Sequence, residues 1–177
     1  TPGVRDLQNR GLIDNLIKSL HKVRKNNENL VSKPILFKIA PDINDEQARD
    51  IALSSLALDI DGIIISNSTI DRPSTLQSSY QSEVGGLSGK PLFVKSTLML
   101  KKMYSLTNGQ IPLVGVGGIS NGMECYEKIK AGASLLQLYT SLVYQGPSLI
   151  ANIKKELLNC IITDGYKNIK EAIGTDV

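Results

Sequence analysis

Hydrophobic positions along the chain switch repeatedly between a helical and an extended period. Between Gly11 and Asn26, Ile13, Leu16, Ile17, Leu20 and Val23 recur at helical spacing, with Lys18, Lys22, Arg24 and Lys25 on the other faces, which predicts a surface helix. Pro34 to Ala40 reads as a strand, Asp45 to about Leu58 as a helix, and Asp61 to Ser66 as a second strand. A long polar stretch from Asn67 to about Pro91 follows, then a helix from about Phe93 to Leu106. The run Ile111-Pro112-Leu113-Val114 ends in Gly115-Val116-Gly117-Gly118, and Ser134-Leu135-Leu136-Gln137-Leu138 ends in Tyr139-Thr140. A helix from Asn121 to Ala131 separates these two strands, and helical segments start at Pro147 and Asn168. Strands alternating with helices specify parallel βα units joined by right-handed crossovers. No longer repeat and no low-complexity linker interrupts the alternation.

Polar groups fall at the C-terminal ends of the predicted strands: Lys38 in the first, Asn67 after the second, Gly117 and Gly118 after the third, Tyr139 and Thr140 after the fourth. Open α/β sheets and barrels place ligands on that face. In a parallel barrel the loops after the last two strands form a phosphate site, because glycines let backbone N–H groups approach an anion with no Cβ in the way. A lysine inside a buried strand needs an anion or a negative dipole. The other readings of Lys38 are that it reaches along the strand to solvent or pairs with Asp42. Asn67 is either a ligand contact or a turn residue at a strand exit. The stretch from Asn67 to Pro91 exceeds the usual βα loop of about 2 to 6 residues and reads as a functional flap. Its distal part, Gly85 to Leu92, permits close backbone approach to a ligand or forms a plain turn.

Composition narrows the classes further. At 177 residues, 41% hydrophobic and 21% charged, the chain suffices for one core. It falls short of the ~250 residues typical of an eight-unit barrel. Net charge is +3, and Lys and Arg are spread along helices without interleaved aromatics, which argues against nucleic-acid binding. Cys125 and Cys160 lie far apart without metal-ligand spacing, so no metal site is expected and a reducing compartment is the simple reading. No apolar run approaches ~18 residues, so no membrane-spanning segment is expected. His21, alone on a basic amphipathic helix, reads as solvated or capping, and Asp42 with Asn44 and Asp45 as an N-cap region. Asn67-Ser68-Thr69 forms a glycosylation sequon that its position at a ligand-facing strand end makes incidental. Lys154, Lys155 and Lys167 read as a solvated face.

Five segments, Lys38-Ile39-Ala40-Pro41-Asp42, Ser66-Asn67-Ser68-Thr69, Gly85 to Leu92, Gly115 to Ile119 and Ala131 to Thr140, resemble dihydroorotate dehydrogenase in order and spacing. Ile39 to Asp42 and Ser88 to Leu92 resemble its class 2, quinone-dependent branch, and Met103 to Thr107 with Glu171 to Gly174 resemble its mitochondrial members. The resemblance implies an α/β fold, a (β/α)8 TIM barrel of which residues 1–177 form the C-terminal half of one domain, strands five to eight. It implies FMN as cofactor and dihydroorotate, orotate and a quinone as small-molecule partners. The implied location is the mitochondrial inner membrane or, for a bacterial source, the cytoplasmic membrane. Contact with that membrane would come through N-terminal helices outside these residues.

Residue by residue, Lys38 matches the lysine at the flavin's pyrimidine edge, and Asn67 matches an asparagine that binds orotate. Ser68 stands where the family usually has Thr, lining flavin and substrate, beside Ser66. Ser88, Gly89 and Leu92 match flavin-lining positions. Val116, Gly117, Gly118, Leu138, Tyr139 and Thr140 match the phosphate and ribityl cradle. Tyr139, Leu142, Val143 and Pro147 match the side facing the quinone, where Val143 replaces a common Thr. The family's serine base lies in a Ser-Pro-Asn stretch just before the motif matched by Thr1-Pro2-Gly3. The resemblance therefore places the base and the first half of the barrel outside these residues, with no catalytic base expected in the chain and Thr1 matching a member of the base's hydrogen-bond network. Cys125, on a helix after the third strand, does not match the class 1 cysteine base. Two further readings remain: another FMN- or phosphate-binding barrel oxidoreductase, and an inactive half-barrel acting as a binding or folding partner.

Overall fold

The computed structural model describes residues 10–177, so Thr1 lies outside the described residues. The elements run α1 (Arg10–Lys25), β1 (Leu36–Ile39), α2 (Asp45–Ala57), β2 (Gly62–Ile65), α3 (Phe93–Thr107), β3 (Leu113–Val116), α4 (Gly122–Lys130), β4 (Ala133–Gln137), α5 (Thr140–Gln145) and α6 (Ser148–Thr163). Short 3₁₀ turns at Lys90–Leu92 and Ile169–Ala172 lead into α3 and close the chain.

The strands form one parallel sheet in the order β1-β2-β3-β4, with Lys38 level with Ile64 and Ile64 level with Val114. Each strand is followed by a helix that folds back over one face. On that face Ile39, Ile63, Ile65 and Leu113 pack with Ala48, Ile51, Met99, Leu100 and Met103 in the main core. The other face is covered less well among the described residues: Leu36 on β1 is 38% exposed and Leu135 on β4 is 63% exposed. Parallel sheets are ordinarily buried on both faces. This architecture matches half of a β/α barrel, with β1 and β4 as its open edges.

Local chemistry explains the element ends. Asn44 caps α2, its side chain accepting from Gln47 N–H at 2.8 Å while Gln47 Oε1 accepts from Asn44 N–H at 3.0 Å. His21 caps the other end of α2 from α1, with Nε2 2.7 Å from Leu58 O. That bond requires the proton on Nε2 and leaves Nδ1 to accept from Arg24 at 2.9 Å. Arg24 in turn pairs with Asp61 at 2.6 Å, and Asp61 accepts from Ile35 N–H at 2.7 Å, tying α1 to the sheet.

Two expectations change. The stripe on α1 divides: Ile13 and Ile17 are buried, but Leu16, Leu20 and Val23 are exposed together with Leu12. The element α5 has no counterpart in the sequence pattern, because six residues without capping side chains carry too little periodicity to read.

Candidate active site

A cavity of about 630 Å³ opens at the C-terminal ends of the four strands. It is lined by Lys38 from β1, Ser66, Asn67 and Ser68 after β2, and Ser88, Gly89 and Leu92 before α3. Val116, Gly117 and Gly118 line it after β3, and Leu138, Tyr139 and Thr140 after β4. The structure thus brings together the residues singled out for cofactor and substrate. Leu142, Val143 and Pro147 are not among the lining residues; Val143 lies exposed on α5. Lys90, Pro91, Ile119, Ser120, Ser141, Tyr144 and Gln145 join the lining without having been singled out. For Ile119 and Ser120 the available signal was continuity with the glycine run; Tyr144 and Gln145 ride on the unforeseen α5.

The backbone at each strand end is pinned. Ser66 N–H donates to Val116 O at 3.0 Å and Asn67 N–H to Ile39 O at 2.9 Å, and the Ile65–Ser66 peptide is cis. Asn67 itself is exposed to the cavity. Lys38 is also exposed, so the premise of a lysine enclosed in a buried strand is corrected. With the sheet face beneath it open, its ammonium keeps water and is available to a ligand.

The stretch from Asn67 to Pro91 is an ordered flap. Thr69 and Leu87 exchange backbone hydrogen bonds at 3.0 and 2.7 Å. Arg72 donates to five carbonyls, those of Ile70, Asp71, Gln81, Glu83 and Gly85, at 2.7–3.1 Å. Asp42 accepts from Ile70 N–H at 3.0 Å and Lys95 Nζ at 2.6 Å, and Lys95 also bonds Asp71. Asp42 therefore clamps the flap to α3, while Asn44, with Gln47, caps α2. On the distal side Ser88 Oγ lies 3.1 Å from Thr140 Oγ1, joining the flap to the end of β4.

The turn after β3 requires glycine twice. Gly117 has φ +116° and Gly118 φ +77°, and a β-carbon on Gly118 would meet the Phe93 backbone at about 2.6 Å. Ser141 Oγ donates to Ile119 O at 2.5 Å, and Glu124 accepts from Ser120 N–H at 2.6 Å, so the turn is held from α5 and α4. Among the described residues, the N–H groups of Gly118, Ile119, Tyr139 and Thr140 have no protein acceptor. Unpaired backbone donors on two adjacent turns, with no side chain at the glycines, can cradle an anion.

Cys125 is buried on α4, and burial, reinforced by Glu124 and Glu156, pushes its thiol up to about 12. It is not a base at neutral pH. No group of potential metal ligands occurs among the described residues.

A family model described as dihydroorotate dehydrogenase matches residues 1–161. The chain is 49% identical over 179 residues to a mitochondrial dihydroorotate dehydrogenase (quinone) of Arabidopsis thaliana, a match that covers 99% of this chain and 39% of the relative. It is 48% identical to the dihydroorotate dehydrogenase (quinone) of Parvibaculum lavamentivorans, covering all of this chain and 49% of the relative. The crystal structure of an Eimeria tenella DHODH in complex with ferulenol superposes with a TM-score of 0.94 at 39% identity, covering 99% of this chain and 51% of that one. The chain spans between 39% and 51% of the length of these relatives.

Proposed function

Because the chain belongs to the dihydroorotate dehydrogenase family, we propose that it supplies strands five to eight of an FMN-binding barrel whose whole oxidises dihydroorotate to orotate and passes the electrons to a quinone. The observation that carries this reading is the single cavity that gathers Lys38, Asn67, the Gly117–Gly118 turn and Thr140 from four strand ends.

The residues present suit FMN. Four N–H groups on the β3 and β4 turns that have no acceptor among the described residues offer donors to a phosphate, and the turn around Gly118 is too tight for a β-carbon. Lys38 lies across the cavity mouth on β1, two strands from that turn, where a cation would stabilise negative charge on a reduced pyrimidine edge. When bound, FMN supplies the hydride acceptor for the dihydropyrimidine ring. Asn67 and Ser68 then offer amide and hydroxyl groups to orient the substrate ring, and the flap they begin restricts water at the same mouth.

The open sheet edges and the exposed Leu36 and Leu135 support completion of the barrel by the part of the relatives that this chain does not span, which would also bring the base. The names of the relatives support a quinone acceptor and, for the plant protein, a mitochondrial setting. Membrane contact belongs to the same proposal; no described helix is long and apolar enough to cross a membrane. The test is purification of the full-length protein, with flavin identified after release and turnover measured with dihydroorotate and a soluble quinone. FMN near one equivalent with dihydroorotate-dependent quinone reduction is expected; colourless, orotate-blind protein would overturn the reading.

A further inference from the structure

Lys128 is fully buried beneath the β3 turn, and nothing in the proposed chemistry uses it. Its stem runs under β3, where a β-carbon on Gly115 would come within 3.3 Å of Lys128 Cδ. Its Nζ donates to Ser96 Oγ at 2.8 Å and Thr97 Oγ1 at 2.9 Å, and sits 4.8 Å from the centroid of the Phe93 ring. A buried amine survives only if its N–H groups are used, and here each finds a hydroxyl or a π face.

The hydroxyls relay this onward. Thr97 Oγ1 donates to Phe93 O at 2.7 Å, whereas Ser96 Oγ lies 3.1 Å from Phe93 O and 3.2 Å from Gly117 O. A hydroxyl has one proton; Phe93 O already accepts the Thr97 hydroxyl and, one helical turn along α3, the Thr97 N–H, which together fill its two lone pairs, so the Ser96 proton goes to Gly117 O. The C=O and N–H on either side of a trans peptide point in opposite directions. Anchoring Gly117 O toward α3 therefore aims Gly118 N–H, which has no acceptor among the described residues, away from α3 and toward the cavity that Gly118 lines. Two N–H bonds suffice for the relay, so it operates in either protonation state of the amine.

We infer that Lys128 is a positioning residue for the phosphate turn, acting through Ser96 on the Gly117 carbonyl to present the Gly118 N–H to a phosphoryl oxygen. The inference rests on the FMN reading above, and riboflavin, which lacks the phosphate, separates the two. Apoprotein prepared from the full-length protein is titrated with FMN and with riboflavin, following quenching of flavin fluorescence. Lys128→Met and Ser96→Ala are each expected to weaken FMN about tenfold, the scale of one lost hydrogen bond, and to leave riboflavin unchanged. Equal weakening of both flavins would make Lys128 a packing residue and overturn the inference, as would unchanged FMN affinity. Should Lys128→Met fail to fold, Ser96→Ala, which removes one oxygen, decides by the same ratio. Wild-type apoprotein with no preference for FMN over riboflavin would refute the FMN reading itself, and the positioning role with it.

Discussion

A β-carbon placed on Gly118 would lie 2.6 Å from both the Cα and the backbone nitrogen of Phe93, so the β3 turn and the start of α3 touch backbone to backbone. Two demands fall on one residue: it must leave room for a helix on one side and offer an N–H on the other. Gly118→Ala is thus expected to destabilise the protein by about 2 kcal/mol or more, combining overpacking with positive φ. Gly165 has a similar φ of +79° but open space around it, so Gly165→Ala isolates the backbone cost of about 1 kcal/mol. Urea unfolding of the two variants measures the difference; equal midpoints would mean that the turn shifts freely away from α3. Loss of flavin in a Gly118 variant would therefore report on packing as well as on phosphate, which is why Ser96 is the cleaner probe.

Most of the architecture was legible because buried parallel strands are continuous apolar runs and α2, α3 and α4 are long enough to show their period. The cavity lining was legible for a related reason: strand ends define one face, so Lys38, Asn67, Gly118 and Thr140 could be assigned to it without coordinates. What escaped depends on contacts between distant segments. Lys128 stands three residues after buried Cys125 on the inner face of α4, and only the space left under Gly115, with Ser96 and Thr97 on α3, makes that position tolerable for an amine. Arg72 reads as an ordinary loop cation until Gln81, Glu83 and Gly85 fold around it. The split stripe on α1 was equally hidden, since spacing alone does not say which of two adjacent apolar faces meets the sheet.

The flap's order depends on that Arg72. A planar guanidinium reaches five carbonyls at once, whereas an ammonium presents three donors from a single point. Arg72→Lys keeps the charge and is expected to raise amide hydrogen exchange across residues 73–86 at least tenfold, with the sheet unaffected. Exchange unchanged across the flap would show that the Asp42 and Lys95 clamp holds it unaided.

Lys128 also predicts a pH dependence. Burial outweighs Glu124, Cys125 and Glu127 and lowers its pKa from 10.5 to about 7. Below pH 7 folded and unfolded chains both carry the proton, and folding bears the full cost of burying it. Between pH 7 and 10.5 only the unfolded chain holds the proton, so stability rises with pH; above that range the cost is gone. Lys128→Met does not titrate at this site. The stability of wild type minus that of Lys128→Met should accordingly increase by about 2 to 3 kcal/mol from pH 6 to pH 9, at about 1.4 kcal/mol per pKa unit. A flat difference would mean that the buried amine titrates as it does in water.

Lys38 and Asn67 share the cavity but should fail differently when replaced. Asn67 lies two residues after β2 with its backbone held by Ile39 O, so Asn67→Ala removes an amide without loosening the strand. In the full-length protein, orotate binding should weaken by about 1 to 3 kcal/mol, roughly 5- to 150-fold, while FMN stays bound. Lys38 lines the cavity and takes no part in the main core, and methionine keeps the length of its stem, so Lys38→Met should leave folding intact. It removes a cation from the site of developing negative charge, which should lower the flavin reduction potential and slow flavin reduction by dihydroorotate. Spectroscopic redox titration and rapid mixing read the two quantities, and orotate titration reads the third. If Asn67→Ala loses FMN with orotate affinity intact, or Lys38→Met leaves potential and rate unchanged, the corresponding residue faces solvent and not the reacting ring.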